Sequence, residues 1–248
     1  MGTNIKGTRL ATYNLGSGGT SLEFEVPDGV FQPTKTSNFL ISHVAKHVQR
    51  SSSTLDIGCG CGYVGVVLAK MGLVAGPLHA SDRSFAAVES CRRNAAQHGV
   101  DCDARAGSLF DPWLGEKFEL IVDDVSGVAE KIGEMSSWFP GASHCGAGVD
   151  GTELTTHILD SSRDHLTTDG SMFFPVLSLS RTEKIVAKAH EMFETVELLG
   201  DQYFPVSPEV GSNMDLLRGM AQEGLISIRQ IGGKWVWWTS IYLARNAR

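Results

Sequence analysis

Two hydrophobic periods alternate along this chain, and glycine separates the stretches that carry them. Thr8–Tyr13 and Ser21–Val26 show the short alternation of strands. The loop Leu15-Gly-Ser-Gly-Gly-Thr20 between them permits the positive φ of a hairpin turn. From Thr36 to Arg50, Leu40, Val44 and Val48 recur every four residues, which predicts one helix face. A regular alternation then begins. Ser53–Ile57 predicts a buried strand, followed by a glycine turn and a helix from about Tyr63 to Met71. Leu78–Ser81 is a strand, and Ser84–His98 a helix with Ser84 as its N-cap. Cys102–Ala106 and Phe118–Val122 are further strands. Thr152–Leu166 is helical, and Asp169-Gly170 turns into the strand Ser171–Leu177. Arg181–Phe193 is amphipathic, with Ile185, Val186, Ala189, Met192 and Phe193 on one face. Thr195–Leu199, a mixed segment Pro205–Gln230 and the strand Lys234–Leu243 close the chain.

Strands alternating with helices imply parallel pairing, with crossovers on both faces of a sheet. The expected fold is α/β: a doubly wound, mostly parallel, seven-stranded sheet with an antiparallel last strand. Residues 1–50 form an N-terminal hairpin-plus-helix extension, and 51–248 the main domain. With 248 residues, 42% hydrophobic and 20% charged, the chain can bury a sizeable core, which excludes wholesale disorder. The net charge of −7, from 21 Lys+Arg against 28 Asp+Glu, argues against nucleic acid and anionic membranes as partners. No apolar run approaches the roughly 18–20 residues of a membrane span. Met1–Leu10 lacks an apolar export signal, so a cytoplasmic location is expected. The five cysteines (Cys59, Cys61, Cys91, Cys102 and Cys145) are an odd set, expected as reduced, mostly buried thiols. No second Cys/His pair completes a zinc spacing, so no metal is expected.

The central feature is Leu55-Asp56-Ile57-Gly58-Cys59-Gly60-Cys61-Gly62-Tyr63-Val64-Gly65. A strand ends, alternating glycines follow and a helix opens, which is how an open α/β sheet builds a nucleotide crevice. Asp82 ends the next strand, about twenty residues on, where an acid accepts hydrogen bonds from ribose hydroxyls. Gly60-x-Gly62-x-x-Gly65 also satisfies the dinucleotide pattern, a weak signal alone. Asp56, two residues before the first glycine, would repel a pyrophosphate. It suits a cationic ligand such as the amino and sulfonium groups of S-adenosyl-L-methionine.

With these residues in view, the chain resembles class I S-adenosylmethionine-dependent methyltransferases. The segment Leu55–Gly62 is similar to their first motif. Gly29-Val30-Phe31-Gln32-Pro33-Thr34-Lys35-Thr36-Ser37-Asn38-Phe39-Leu40 resembles the stretch preceding the fold in the HemK-like branch, the release-factor glutamine methyltransferases and their relatives. Gly107-Ser108-Leu109-Phe110-Asp111-Pro112 and Gly148-Val149-Asp150-Gly151 resemble later elements of that branch, in the same order. The resemblance implies a Rossmann-like fold. Asp56, Gly58, Cys59, Gly60 and Gly62 would form the cofactor loop, Asp82 would bind ribose, and Arg83 would lie beside adenine. Ser108 and Leu109 would line the adenine edge, Phe31, Pro33 and Thr34 would sit over the cofactor, and Asp123 would contact its amino group.

The chain departs from that family after the fourth strand. The family's Asn-Pro-Pro-Tyr is replaced by Asp123-Asp124-Val125-Ser126-Gly127, with Asp124 at the Asn position. This speaks against release-factor glutamine as the acceptor. A carboxylate there can orient an amine or accept a proton. Asp124 is the first catalytic candidate and His144 the second. Asp124, Ser126, Trp138, Phe139 and Tyr203, with Phe204, are the candidate acceptor residues, the aromatics forming an apolar wall for a small planar substrate. The expected activity is methyl transfer to nitrogen or oxygen of a small-molecule acceptor. The alternatives are a protein (glutamine or amine) methyltransferase, an NAD-dependent oxidoreductase, and a cofactor-binding protein without catalysis. Trp235, Trp237 and Trp238 are expected to pack on both sheet faces or at a homodimer seam.

Overall fold

The computed structural model describes residues 7–16, 20–125, 127–136, 138 and 146–248. The chain forms two compact units, Met1–Asp124 with Asp164–Gly170, and Val125–Arg163 with Ser171–Arg248.

The first unit opens with an antiparallel hairpin of β1 (Thr8–Leu15) and β2 (Thr20–Pro27). Every second residue of β2 (Leu22, Phe24, Val26) is buried, as strand periodicity requires. Helix α1 (Lys35–His47) follows, burying Leu40, Ile41 and Val44. Then β3 (Thr54–Ile57), α2 (Tyr63–Lys70), β4 (Leu78–Asp82), α3 (Phe85–Gln97), β5 (Cys102–Ala106) and β6 (Phe118–Asp123) alternate as the sequence predicts. Strand order is β5-β4-β3-β6, and every pair is parallel. Helical crossovers between parallel strands cover the sheet, so β3 is buried at all four positions. Register aligns the carboxyl ends: Ile57 stands opposite both Ser81 and Asp123. Three acids thereby reach one sheet edge: Asp56, Asp82 and Asp123.

The buried amide of Asn94 on α3 fastens this edge from behind. Its Nδ2 donates to Glu25 O (3.0 Å) and Cys61 O (2.8 Å), and its Oδ1 accepts from Glu25 N (3.0 Å). One side chain thus satisfies backbone groups of both the hairpin and the glycine turn, which no ladder would otherwise pair. Ser90 Oγ adds a hydrogen bond to Glu25 O at 2.8 Å.

The second unit holds α4 (Glu130–Met135), most of α5 (Glu153–His165), α6 (Thr182–Met192), α7 (Pro208–Gly211) and α8 (Met214–Gln222). Its strands are the later part of β7 (Leu166–Leu177), β8 (Phe193–Pro205), β9 (Arg229–Ile231) and β10 (Lys234–Ala247). The last strand is antiparallel, as expected: β10 runs between β7 and β8, against both. Among the described residues, β3–β8 and β10 are the seven longer strands after the hairpin, and the three-residue β9 pairs with the start of β10.

Several boundaries differ from the sequence reading. β7 begins at Leu166, so the Asp169-Gly170 turn is absorbed into a strand. β8 continues past Gly200-Asp201, because these residues pair with Ile241 and Ser240 of β10. Ser240 Oγ also donates to Asp201 Oδ1 at 2.6 Å. Long antiparallel pairing overrides the local turn signal of Gly and Asp. α4 lies where the sequence reading placed no element: Val128, Ala129 and Ile132 join an apolar cluster with Leu177, Leu179, Leu217 and Met220.

Candidate functional site

The glycine turn between β3 and α2 is built from backbone that side chains would obstruct. Gly58, Gly60 and Gly62 all have positive φ, at 65°, 53° and 81°. At Gly62 an added Cβ would lie 2.8 Å from Cys91 Sγ and 3.2 Å from its Cα, so glycine is required by both conformation and packing. Cys59 N donates to Ser81 O (2.9 Å) and Gly62 N to Cys59 O (2.7 Å), tying the turn to β4 and to itself. Cys59, Cys91 and Cys102 lie together with Ala80 and Ala104 as free thiols, the first two buried. Burial pushes the Cys61 thiol up to about 12, so it is an inert thiol at neutral pH.

Three carboxylates converge on this turn. Asp56 is 1% exposed; its Oδ2 accepts from Gly65 N at 2.9 Å, and its buried Oδ1 has no hydrogen-bond partner among the described residues. Burial pushes this carboxyl up to about 7; the Gly65 N–H works against that rise, and the charges of Asp124 and Asp82 add to it. Asp82 spans the turn: Oδ2 accepts from Gly60 N (3.0 Å) and Oδ1 from Ser84 N (2.8 Å). Both oxygens keep lone pairs for a ligand's hydroxyl donors. Asp124 follows β6 and accepts a hydrogen bond from Ser37 Oγ at 2.6 Å. Surrounding protein atoms push its carboxyl up to about 7, and the Ser37 hydrogen bond opposes that rise.

An orphaned buried acceptor and three acids in one electrostatic field fit a ligand that brings positive charge and N–H donors, and disfavour a pyrophosphate. The remaining predicted residues border the same unit. Phe31 is exposed, and its carbonyl lies 4.0 Å from where a Cβ on Gly60 would stand. Pro33 is half-buried, and Thr34 caps α1. Leu109, in the left-handed region at φ 47°, accepts from Ser81 Oγ at 3.0 Å, beside the exposed Ser108. Arg83 is exposed, and Asp123 is buried at the end of β6.

The aromatic residues nominated as one wall fall in the second unit and divide between two faces. Trp237 packs against Trp138 (5.5 Å between centroids) and Phe204 (4.6 Å). Tyr203 pairs with Trp238 (5.9 Å), where Arg229 sits 4.2 Å over the Trp238 ring. Strand alternation separates Tyr203 from Phe204, so they cannot line one surface. The tryptophans of β10 accordingly pack on both of its faces. Ser126, Phe139 and His144 lie outside the described residues.

Ser37 and Asn94 were not singled out in the sequence. Thr34-x-x-Ser37 is a capping-box spacing that would have flagged Ser37, whereas nothing local marks Asn94.

Comparison with known proteins gives a family match within this unit. Residues 21–124 match the methyltransferase small domain. The chain is 27% identical over 154 residues to the release factor glutamine methyltransferase of Geobacter sulfurreducens, covering 60% of this chain and 54% of that protein. It is 31% identical over 106 residues to ribosomal RNA small subunit methyltransferase C of Serratia proteamaculans, covering 42% of this chain and 29% of that protein. The chain thus spans about half the length of one curated relative and under a third of the other. A T. thermophilus 16S rRNA N2 methyltransferase, solved with AdoMet and guanosine, superposes with TM-score 0.63 at 14% identity, over 98% of this chain and 51% of that one. That likeness establishes the fold as Rossmann-like. The likeness to methyltransferases read from the sequence motifs is thus matched by the family model over residues 21–124 and by a release-factor glutamine methyltransferase among the similar proteins.

The expected partners do not hold. A small-molecule acceptor, with nucleic acid set aside, is contradicted by these relatives, whose names specify release-factor glutamine and ribosomal RNA. Net charge and ring count were poor guides, because acceptor recognition rests on local surfaces that whole-chain averages conceal. Among the described residues no helix is long and apolar enough to cross a membrane.

Proposed function

We propose that the chain is an S-adenosyl-L-methionine-dependent methyltransferase that modifies a nitrogen of a macromolecule, with a protein side chain as the first candidate. The observation that carries this reading is the convergence of Asp56, Asp82 and Asp124 on the glycine turn, with Asp56 Oδ1 buried and unsatisfied. A cationic donor relieves both the mutual repulsion and the orphaned acceptor. In this reading Asp82 takes the ribose hydroxyls, Asp56 serves the amino end, and Gly60 and Gly62 let the backbone approach closely. When bound, the sulfonium supplies an already activated methyl group. The protein's task is to hold the acceptor in line, which contributes on the order of 7–11 kcal/mol.

Asp124 orients the acceptor nitrogen and receives its proton. Bound S-adenosylmethionine would supply the methyl group and keep the sulfur's electron pair, while Asp124 would take the acceptor nitrogen's proton and pass it to water. A carboxylate with its pKa near 7 suits that role. Protein is put first because the longer curated match, 154 residues, is to a protein methyltransferase. Ribosomal RNA is the second reading, favoured by the 31% identical relative.

The test is transfer of radiolabelled methyl from S-adenosylmethionine into ribosomal and cytosolic extracts, each divided into protease-treated and nuclease-treated halves. Protease-sensitive label is expected. Nuclease-sensitive label would move the assignment to RNA, and label in neither would overturn the proposal.

A further inference from the structure

The first turn of α1 makes a hydrogen-bond chain that ends on Asp124. Thr34 is the N-cap, with extended backbone at φ −118°. Its hydroxyl accepts from Thr36 N at 3.1 Å, and its own N–H donates to Ser37 Oγ at 3.0 Å. Ser37 Oγ then donates to Asp124 Oδ2 at 2.6 Å, across 87 residues of sequence.

The direction of this chain is fixed by chemistry. A backbone N–H can only donate, so Ser37 accepts there and its single proton is free for the carboxylate. Ser37 is 1% exposed, so water does not compete for that proton. A separation of 2.6 Å is in the range of charge-assisted O–H···O⁻ bonds. A capping box needs only the acceptor half of the serine; the donor half is left over, and it is spent on the carboxylate beside the glycine turn.

We infer that Ser37 is a positioning residue for methyl transfer, fixing the orientation of Asp124 and favouring its carboxylate form. The inference rests on the methyltransferase reading and deepens it. Among the described residues, Asp56 from β3, Cys61 from the turn and Tyr63 from α2 share an electrostatic field with Asp124, and Asp123 precedes it on β6. These groups are neutral or negative, so none of them stabilises a negative charge on Asp124. The Ser37 hydroxyl supplies that stabilisation through a dipole. It also occupies Oδ2 and so orients the carboxyl plane, leaving Oδ1 for an acceptor N–H.

The experiment uses the full chain with ¹³C-carboxyl aspartate, following each resonance with pH, and Asp124→Asn assigns the signal. In Ser37→Ala the midpoint of Asp124 is expected to rise by about one pH unit, a tenfold change in proton affinity. Ser37→Thr, which keeps the hydroxyl, is expected to restore it. Ser37→Cys keeps the size but weakens the donor, and gives the same test should the alanine variant not fold. Calorimetry with S-adenosylhomocysteine is run alongside and is expected to change by less than about threefold. An Asp124 midpoint indifferent to Ser37→Ala, or one that Ser37→Thr does not restore, would overturn the inference while leaving the functional reading intact. A wild-type chain that binds no S-adenosylhomocysteine would take down both.

Discussion

At the residue scale, the proposed function asks single side chains to serve the backbone and a ligand at once. Asp82 is the clearest case, because it holds Gly60 N and Ser84 N while facing the turn. Asp82→Ala loosens the turn and, in the proposed function, also removes a ligand acceptor. Affinity for S-adenosylhomocysteine is expected to fall by roughly tenfold or more, measured by calorimetry. Unchanged affinity would deny Asp82 its ribose role. This residue was legible in the sequence because an acid ending the second strand of a parallel sheet has few positions to occupy. Ser37 was legible as the partner of a helix cap, but its contact with Asp124, 87 residues away, was not. The split of Tyr203 from Phe204 was hidden for a different reason. Aromatic content says nothing about which face of a strand each ring takes, and the extent of β8 was itself underestimated.

At the scale of elements, the alternation from β3 to β6 was readable almost to the residue. Each helix carries its own punctuation: Ser84 caps α3 by accepting from Ala87 N at 3.3 Å, and Gly62 opens α2 at φ 81°. The later strands were less readable. Gly200-Asp201 is a turn signal locally, and only pairing with β10 makes it strand. The glycine turn itself gives an element-scale prediction. Gly62→Ala would force a positive φ on alanine and press a methyl group against Cys91, whose Sγ lies 2.8 Å from that point. The combined cost is about 2–5 kcal/mol. A fall in melting temperature of roughly 5 °C or more is expected by calorimetric scanning. A melt like that of the native chain would mean the turn does not need glycine there.

At the scale of the molecule, the acids at the sheet edge couple stability to pH. Asp56 and Asp124 are both pushed up to about 7 by burial. Between roughly pH 4 and 7 the folded chain keeps protons that the unfolded chain, with ordinary carboxyl values, has released. Stability conferred by these groups is therefore full at low pH, declines as pH rises through that window, and levels off above it. His43, lowered by burial and by the neighbouring charges of Lys46 and His47, acts in the opposite sense below its ordinary value. Comparison with Asp56→Asn isolates the carboxyl contribution. The wild-type melting temperature is expected to fall more steeply than the variant's from pH 5.5 to 8, and parallel curves would refute the assignment.

The most direct test of the whole account is an isothermal titration of the intact chain with S-adenosylhomocysteine and, separately, with NAD(H). One molecule of S-adenosylhomocysteine per chain, with no heat from the nicotinamide, is the expected result. Binding of NAD(H), or no binding of S-adenosylhomocysteine, would contradict it.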